Sequence, residues 1–173
     1  MDLMPGSTFL PDWPQYAARI ARAVHGLTTE QLALRASPDH GPIWALAAHV
    51  AGSRLYWLCM VCGEPGIDTS DVINPTTAEG WEDDLDHPRS ADELVAALGA
   101  SWAVVADCLE RWTPAMLAAE VERSYGGSVQ CHTRISILNR LLSHDAFHAG
   151  EISQLLGAAG LPGIDLWRRD PRG

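Results

Sequence analysis

Apolar residues return every three or four positions in four separate stretches of this chain, a rhythm that constrains its fold more than any other feature. Trp13, Tyr16, Ile20, Val24 and Leu27 mark the first helix, which stops near Gly26. A second begins at Pro42 and carries Leu46, His49, Ser53, Tyr56 and Met60 on one seam before Gly63. It is unusually apolar all round. Ser90 and Glu93 form a capping box ahead of a third helix, with Val95, Leu98, Trp102, Val105, Leu109 and Trp112 at alternating spacings of three and four. The last helix runs from about Arg134 to Ala158, with Ile137, Leu141, His144, His148, Glu151 and Leu155 on its seam, and ends at Gly160 and Pro162.

Four amphipathic helices without a strand series predict an all-α fold, a four-helix bundle in which each apolar stripe is buried against the others. A short link, including Thr28 to Leu34, predicts that the first two helices are antiparallel neighbours. From Gly63 to Pro88 the rhythm dissolves into Gly, Pro, Asn, Thr and a run of acids, which reads as a long crossover loop between helices 2 and 3. Those 26 residues can span a helix of roughly 30 Å, so the second and third helices can run parallel. Tyr125-Gly126-Gly127-Ser128 reads as a tight turn, compatible with a small hairpin. No repeat or linker breaks the chain, which predicts one domain over residues 1–173 with a short polar end at Arg168 to Gly173.

Charge narrows the partners. The net charge is -10, from 22 acidic and 12 basic residues, and every basic residue is Arg. Phosphate binding starts from clustered positive charge, so neither nucleic acid nor an anionic membrane is an expected partner. The most apolar stretch, Ile43 to Cys62, is interrupted by His49, Ser53 and Arg54, and a central Arg costs about 2.5 to 3.5 kcal/mol on insertion. It reads as a buried core helix. The opening MDLMPGSTFL lacks a basic region followed by an apolar stretch, so the expected compartment is the cytoplasm. Cys59, Cys62, Cys108 and Cys131 then read as buried thiols rather than disulfides. The absence of Lys beside frequent Ala, Arg and Gly fits a GC-rich bacterial genome.

His144 and His148 stand four residues apart on one helix, which places both imidazoles on one face about a turn apart. His49 lies near the middle of the second helix, level with that pair if the two helices are neighbours. Singly, each reads as a core histidine bonded to a carbonyl or hydroxyl. Together without a shared partner, they would leave several buried polar groups unsatisfied, each costing about 1 to 3 kcal/mol. Three neutral nitrogen ligands with an open position are the donor set of catalytic zinc sites. Glu151 shares a face with His148 and can hold a ligand's second nitrogen or act as general base. Asp145 points away from His144, toward solvent or a helix partner.

The segment His144-Asp145-Ala146-Phe147-His148-Ala149-Gly150-Glu151-Ile152 resembles the last-helix signature of the DinB-like metalloprotein superfamily. Trp44-Ala45-Leu46-Ala47-Ala48-His49 is similar to that family's first ligand region. The resemblance implies an up-down-down-up bundle, a zinc or nickel ion on His49, His144 and His148, and often a homodimer, which would also shelter some of the seven Trp. Relatives include mycothiol-dependent maleylpyruvate isomerase and bacillithiol or mycothiol S-transferases. The resemblance therefore implies a low-molecular-weight-thiol-dependent S-transferase or isomerase acting on a small electrophile. GC-rich composition favours mycothiol as the thiol.

Other candidates carry less. Cys59 and Cys62 are one turn apart, but Cys59 is roughly 15 Å along the helix axis from His49 and reads as core packing. Cys131 and His132 are adjacent and do not face each other, so they read as surface chemistry. Arg54 and Arg140 are anion receptors if they reach the pocket mouth and otherwise belong to a solvated face. Asp83, Asp84 and Asp86 lack the spacing of a calcium loop and read as solvated. Two alternatives to the thiol enzyme remain: a non-enzymatic metal-binding stress-response bundle and a metal-dependent hydrolase.

Overall fold

A computed structural model describes residues 6–167, so the polar end at 168–173 lies outside the described residues. The chain is mostly helical. Helix α1 spans Trp13–Val24 and buries Trp13, Ala17, Ile20 and Val24. A single turn, α2 (Thr29–Leu32), follows, closed by a capping box between Thr28 and Gln31. Helix α3 (Ile43–Leu55) runs on into a π-helical turn at Tyr56–Val61. Helix α4 (Ala91–Arg111) starts at the expected box: the Ser90 N–H donates to Glu93 Oε2 at 2.8 Å, and the Glu93 N–H donates to Ser90 Oγ at 3.3 Å. Short α5 (Pro114–Ala118) leads into strands β1 (Glu120–Tyr125) and β2 (Ser128–Thr133). Helix α6 (Arg134–Ala158) completes the core.

An all-α expectation therefore needs a small sheet added. β1 and β2 form one antiparallel hairpin, with Val121 opposite His132 and Arg123 opposite Gln130. Its turn residues Gly126 and Gly127 have φ of 58° and 77°, conformations that favour Gly and match the right-handed twist of the strands.

The four long helices share one core. α1 packs mainly against α4 and α6, and α3 packs mainly against the same two, so α1 and α3 meet less closely. The first and second helices touch, as expected of neighbours, but each meets α4 and α6 more extensively. Residues 25–42 are long enough, with α2 among them, to carry the chain across the bundle.

The crossover is more ordered than its composition suggests. Val72, Ile73 and Trp81 are buried, Ile73 bridges Gly80, and 3-10 turns form at Ile67–Thr69 and Trp81–Asp83. The second of these turns packs on α3. No described helix is long and apolar enough to cross a membrane.

The seams also turn out rotated. Leu46, His49, Ser53, Tyr56 and Met60 form a half-buried flank of the second helix, while Ala47, Ala51, Arg54 and Leu58 occupy the core. On α6 the expected Ile137 and Leu141 are buried, together with Leu138, Asp145, Ile152 and Leu156, and the histidines stand beside this line. Arg54 and Asp145 are thus not on a solvated face: they are 1% and 2% exposed. Arg54 Nη2 donates to Asp145 Oδ2 at 2.8 Å, and the Trp13 indole N–H reaches the same oxygen at 3.2 Å. Arg54 Nη1 donates to the Leu98 carbonyl at 3.3 Å. Residues from α1, α3, α4 and α6 meet at this one polar node.

Candidate metal centre

His49 on α3 and the His144/His148 pair on α6 come together because these two helices are neighbours. His144 Nε2 lies 3.0 Å from His49 Nε2 and 3.2 Å from His148 Nε2. Outward-facing nitrogens find carboxylates: His49 Nδ1 is 2.9 Å from Glu82 Oε1, and His148 Nδ1 is 2.6 Å from Glu151 Oε2. Glu151 therefore stands behind His148, at the second-nitrogen position.

Those two contacts decide the protonation of the centre. A carboxylate beside Nδ1 holds the proton there, which leaves Nε2 of His49 and of His148 as lone-pair acceptors. Both point at His144 Nε2, which can bring at most one proton to share between them. A cation meets all three lone pairs at once. Zinc held at about 2.0 to 2.1 Å in tetrahedral geometry sets its ligand nitrogens about 3.3 Å apart, so the two separations from His144 already approximate two edges of that polyhedron, and all three nitrogens lie within 4.8 Å of one another. The donor set fits a divalent ion, with imidazoles oriented by carboxylates behind them.

Burial favours the neutral form of His144 and His148, the form that ligates. His144 is pushed down to about 3, chiefly by desolvation and then by repulsion from His148 and His49. His148 is also lowered by burial, against the opposing pull of Glu151. No fourth His, Cys, Asp or Glu joins the three among the described residues, and the His49 side chain is 39% exposed, so the cluster is open to solvent on that side.

Glu82 was not legible from its spacing. It sits in an acidic run, and the signal that marks it is its neighbour Trp81, a buried indole that pins the turn: the Trp81 N–H donates to the Val72 carbonyl at 3.0 Å. The rest of the run is solvated. Asp83 accepts from the Gly80 N–H at 2.8 Å, Asp84 lies 2.7 Å from His87 Nδ1, and Asp83, Asp84 and Asp86 are exposed.

The cysteines stand apart from the centre. Cys62 and Cys108 are buried, with thiols pushed up to about 11 and about 12, mainly by desolvation. Cys59 is likewise pushed up to about 11. Cys131 is exposed on the hairpin. Arg140 is exposed and lies over Trp57, its guanidinium 4.9 Å from the ring centre.

Four long helices, with a three-histidine cluster between α3 and α6 backed by carboxylates, define a helical-bundle protein with a donor set suited to a metal ion. The model of the DinB superfamily matches residues 15–152, and the chain belongs to that superfamily. Its fold is similar to that of a DinB-like protein from Bacillus cereus ATCC 10987 at 19% identity and a TM-score of 0.71, over 95% of this chain and 99% of that one. No curated protein matches the chain.

Proposed function

We propose that this protein binds one divalent ion, zinc or nickel, on His49, His144 and His148 and uses it as a low-molecular-weight-thiol-dependent S-transferase or isomerase. The observation that carries the reading is the convergence of three Nε2 atoms with an open fourth side. Bound there, the ion supplies the positive charge that lowers a thiol's pKa and yields a nucleophile for an electrophilic substrate. The chain's own part is to hold three neutral imidazoles in place. Glu82 and Glu151 fix the ring orientations of His49 and His148, and the apolar surroundings of α3 and α6 raise the strength of every charge interaction. From behind His148, Glu151 is also the group proposed to move a proton during thiol activation, in which case Glu151→Gln lowers turnover more than metal affinity.

The same reading takes residues 1–173 as one cytoplasmic domain with up-down-down-up topology, acting as a homodimer with mycothiol as its thiol. The deciding experiment conjugates a chlorobimane to mycothiol, bacillithiol, glutathione or cysteine, with metal-loaded and metal-free protein side by side. Metal-dependent conjugation that disappears in His144→Ala is the expected result. Equal rates with and without metal across all four thiols would put the non-catalytic bundle ahead, and metal-dependent ester hydrolysis without thiol would favour the hydrolase. Light scattering at micromolar concentration tests the dimer, and a mass of 18.7 kDa would reject it.

A further inference from the structure

On the flank of α6 that leads away from Glu151, a wide-open surface depression of about 580 Å³ lies directly beside the metal centre. His144 forms its inner wall and Phe147, 64% exposed, its outer one. Between them stand Asn139, Arg140 and Ser143. Arg140 precedes His144 by four residues, so the two side chains lie one above the other on one helix face.

The charge here is out of balance. Arg140 and Arg123 approach the same indole, Trp57, each with its guanidinium 4.9 Å from the ring centre. Arg123 donates to Tyr56 Oη at 2.8 Å and to Gln130 Oε1 at 3.3 Å, both neutral. In a chain with 22 acids, neither guanidinium has a carboxylate partner among the described residues. Asn139 and Ser143 likewise have no hydrogen-bond partner there. Stacking on Trp57 fixes the position of Arg140 while leaving its donors free, the arrangement in which an arginine receives an anion.

We propose that this depression is an anion subsite in which Arg140, with Asn139 and Ser143, holds the carboxylate of a small organic acid that reacts at the metal centre. The inference rests on the three-histidine cluster being the reaction site. One guanidinium flanked by two neutral donors suits a planar monoanion better than a phosphate dianion. The exposed ring of Phe147 offers the rest of the ligand an apolar face. Four residues, about 6 Å along the helix axis, separate the levels of Arg140 and His144, so the substrate's reactive atom lies only a few bonds from its carboxylate.

The test titrates the zinc-loaded protein with benzoate, propionate and inorganic phosphate, with chloride at matched ionic strength, and follows indole fluorescence. The expected result is that benzoate binds more tightly than propionate and that both bind about tenfold or more weakly to Arg140→Gln, with Arg140→Lys between. Trp57→Phe should remove the signal. Unchanged affinity in Arg140→Gln would overturn the subsite, since benzoate would then be meeting the ion directly, and phosphate binding as well as benzoate would overturn the carboxylate assignment. Thiol conjugation is a separate readout. Conjugation without Arg140-dependent binding sinks only the subsite, whereas Arg140-dependent binding without conjugation sinks only the thiol reading.

Discussion

The Arg54–Asp145 pair and the three-histidine centre are built from the same two helices, α3 and α6, yet they complete their polar groups in opposite ways. His144 and Asp145 are consecutive residues. Asp145 turns into the core and meets Arg54 and the Trp13 indole, so its charge is answered within the chain. His144 turns to the flank and meets two more imidazoles, whose lone pairs face its own. One node closes on itself and the other calls for something from outside.

The largest effect is expected where the closed node is broken from one side. Asp145→Ala strands the Arg54 guanidinium in the core and removes the acceptor of Trp13, which should cost about 3 to 5 kcal/mol in urea unfolding. Replacing both partners with apolar residues of similar size, Arg54→Met with Asp145→Leu, should recover most of that loss. If the double variant is no more stable than Asp145→Ala, the node owes its strength to something other than its mutual charge.

The open centre should respond in the other currency. His144→Ala or His148→Ala should lower zinc affinity by orders of magnitude, while the metal-free variants unfold near the wild-type urea midpoint. Zinc stoichiometry after dialysis checks the first statement. Retained zinc in a His144→Ala/His148→Ala double variant would remove the site altogether. A smaller loss, about 10- to 100-fold in affinity, is expected for Glu82→Gln and for Glu151→Gln, since each leaves the ligand ring in place but weakens the group that orients it. A change confined to Glu151 would make Glu82 a support of the loop rather than of the metal.

The same contrast explains what the sequence disclosed. Helix existence was legible because Ser90–Glu93 and the three-four spacing act locally. So was the His144/His148 pair, whose proximity needs only one helix. The inward face was not. α3 is apolar all round, so its rhythm carries no phase, and on α6 the innermost position holds Asp145, a charge that spacing rules send to solvent. A charged residue in the core is recognisable only with its partner, and Arg54 lies 91 residues away. Glu82 was hidden for a related reason, since its partner is 33 residues away and its own neighbours are solvated acids. The short hairpin strands carry no apolar alternation and left only the Gly126-Gly127 turn as a sign.

The smallest effect separates the two nodes by pH. In the metal-free protein burial and neighbouring imidazoles hold His144 down to about 3, whereas in the unfolded chain a histidine titrates near 6.5. Between those values the unfolded chain takes up a proton that the native protein refuses, so native stability falls as pH drops below about 6.5 and levels off near 3. Above about 6.5 both states are neutral at this ring and the contribution vanishes. The ring is only partly shielded, so the loss between about pH 7.5 and pH 5 is discounted to roughly 1 kcal/mol. Urea midpoints of the metal-free protein at the two pH values measure it. His144→Ala should weaken that dependence, leaving the part His148 contributes, and Arg54→Met with Asp145→Leu should keep most of it, because burial and the neighbouring imidazoles act on the ring more strongly than Arg54 does. Equal slopes in wild type and His144→Ala would place the acid sensitivity elsewhere and show that the open centre carries no proton-linked strain of its own.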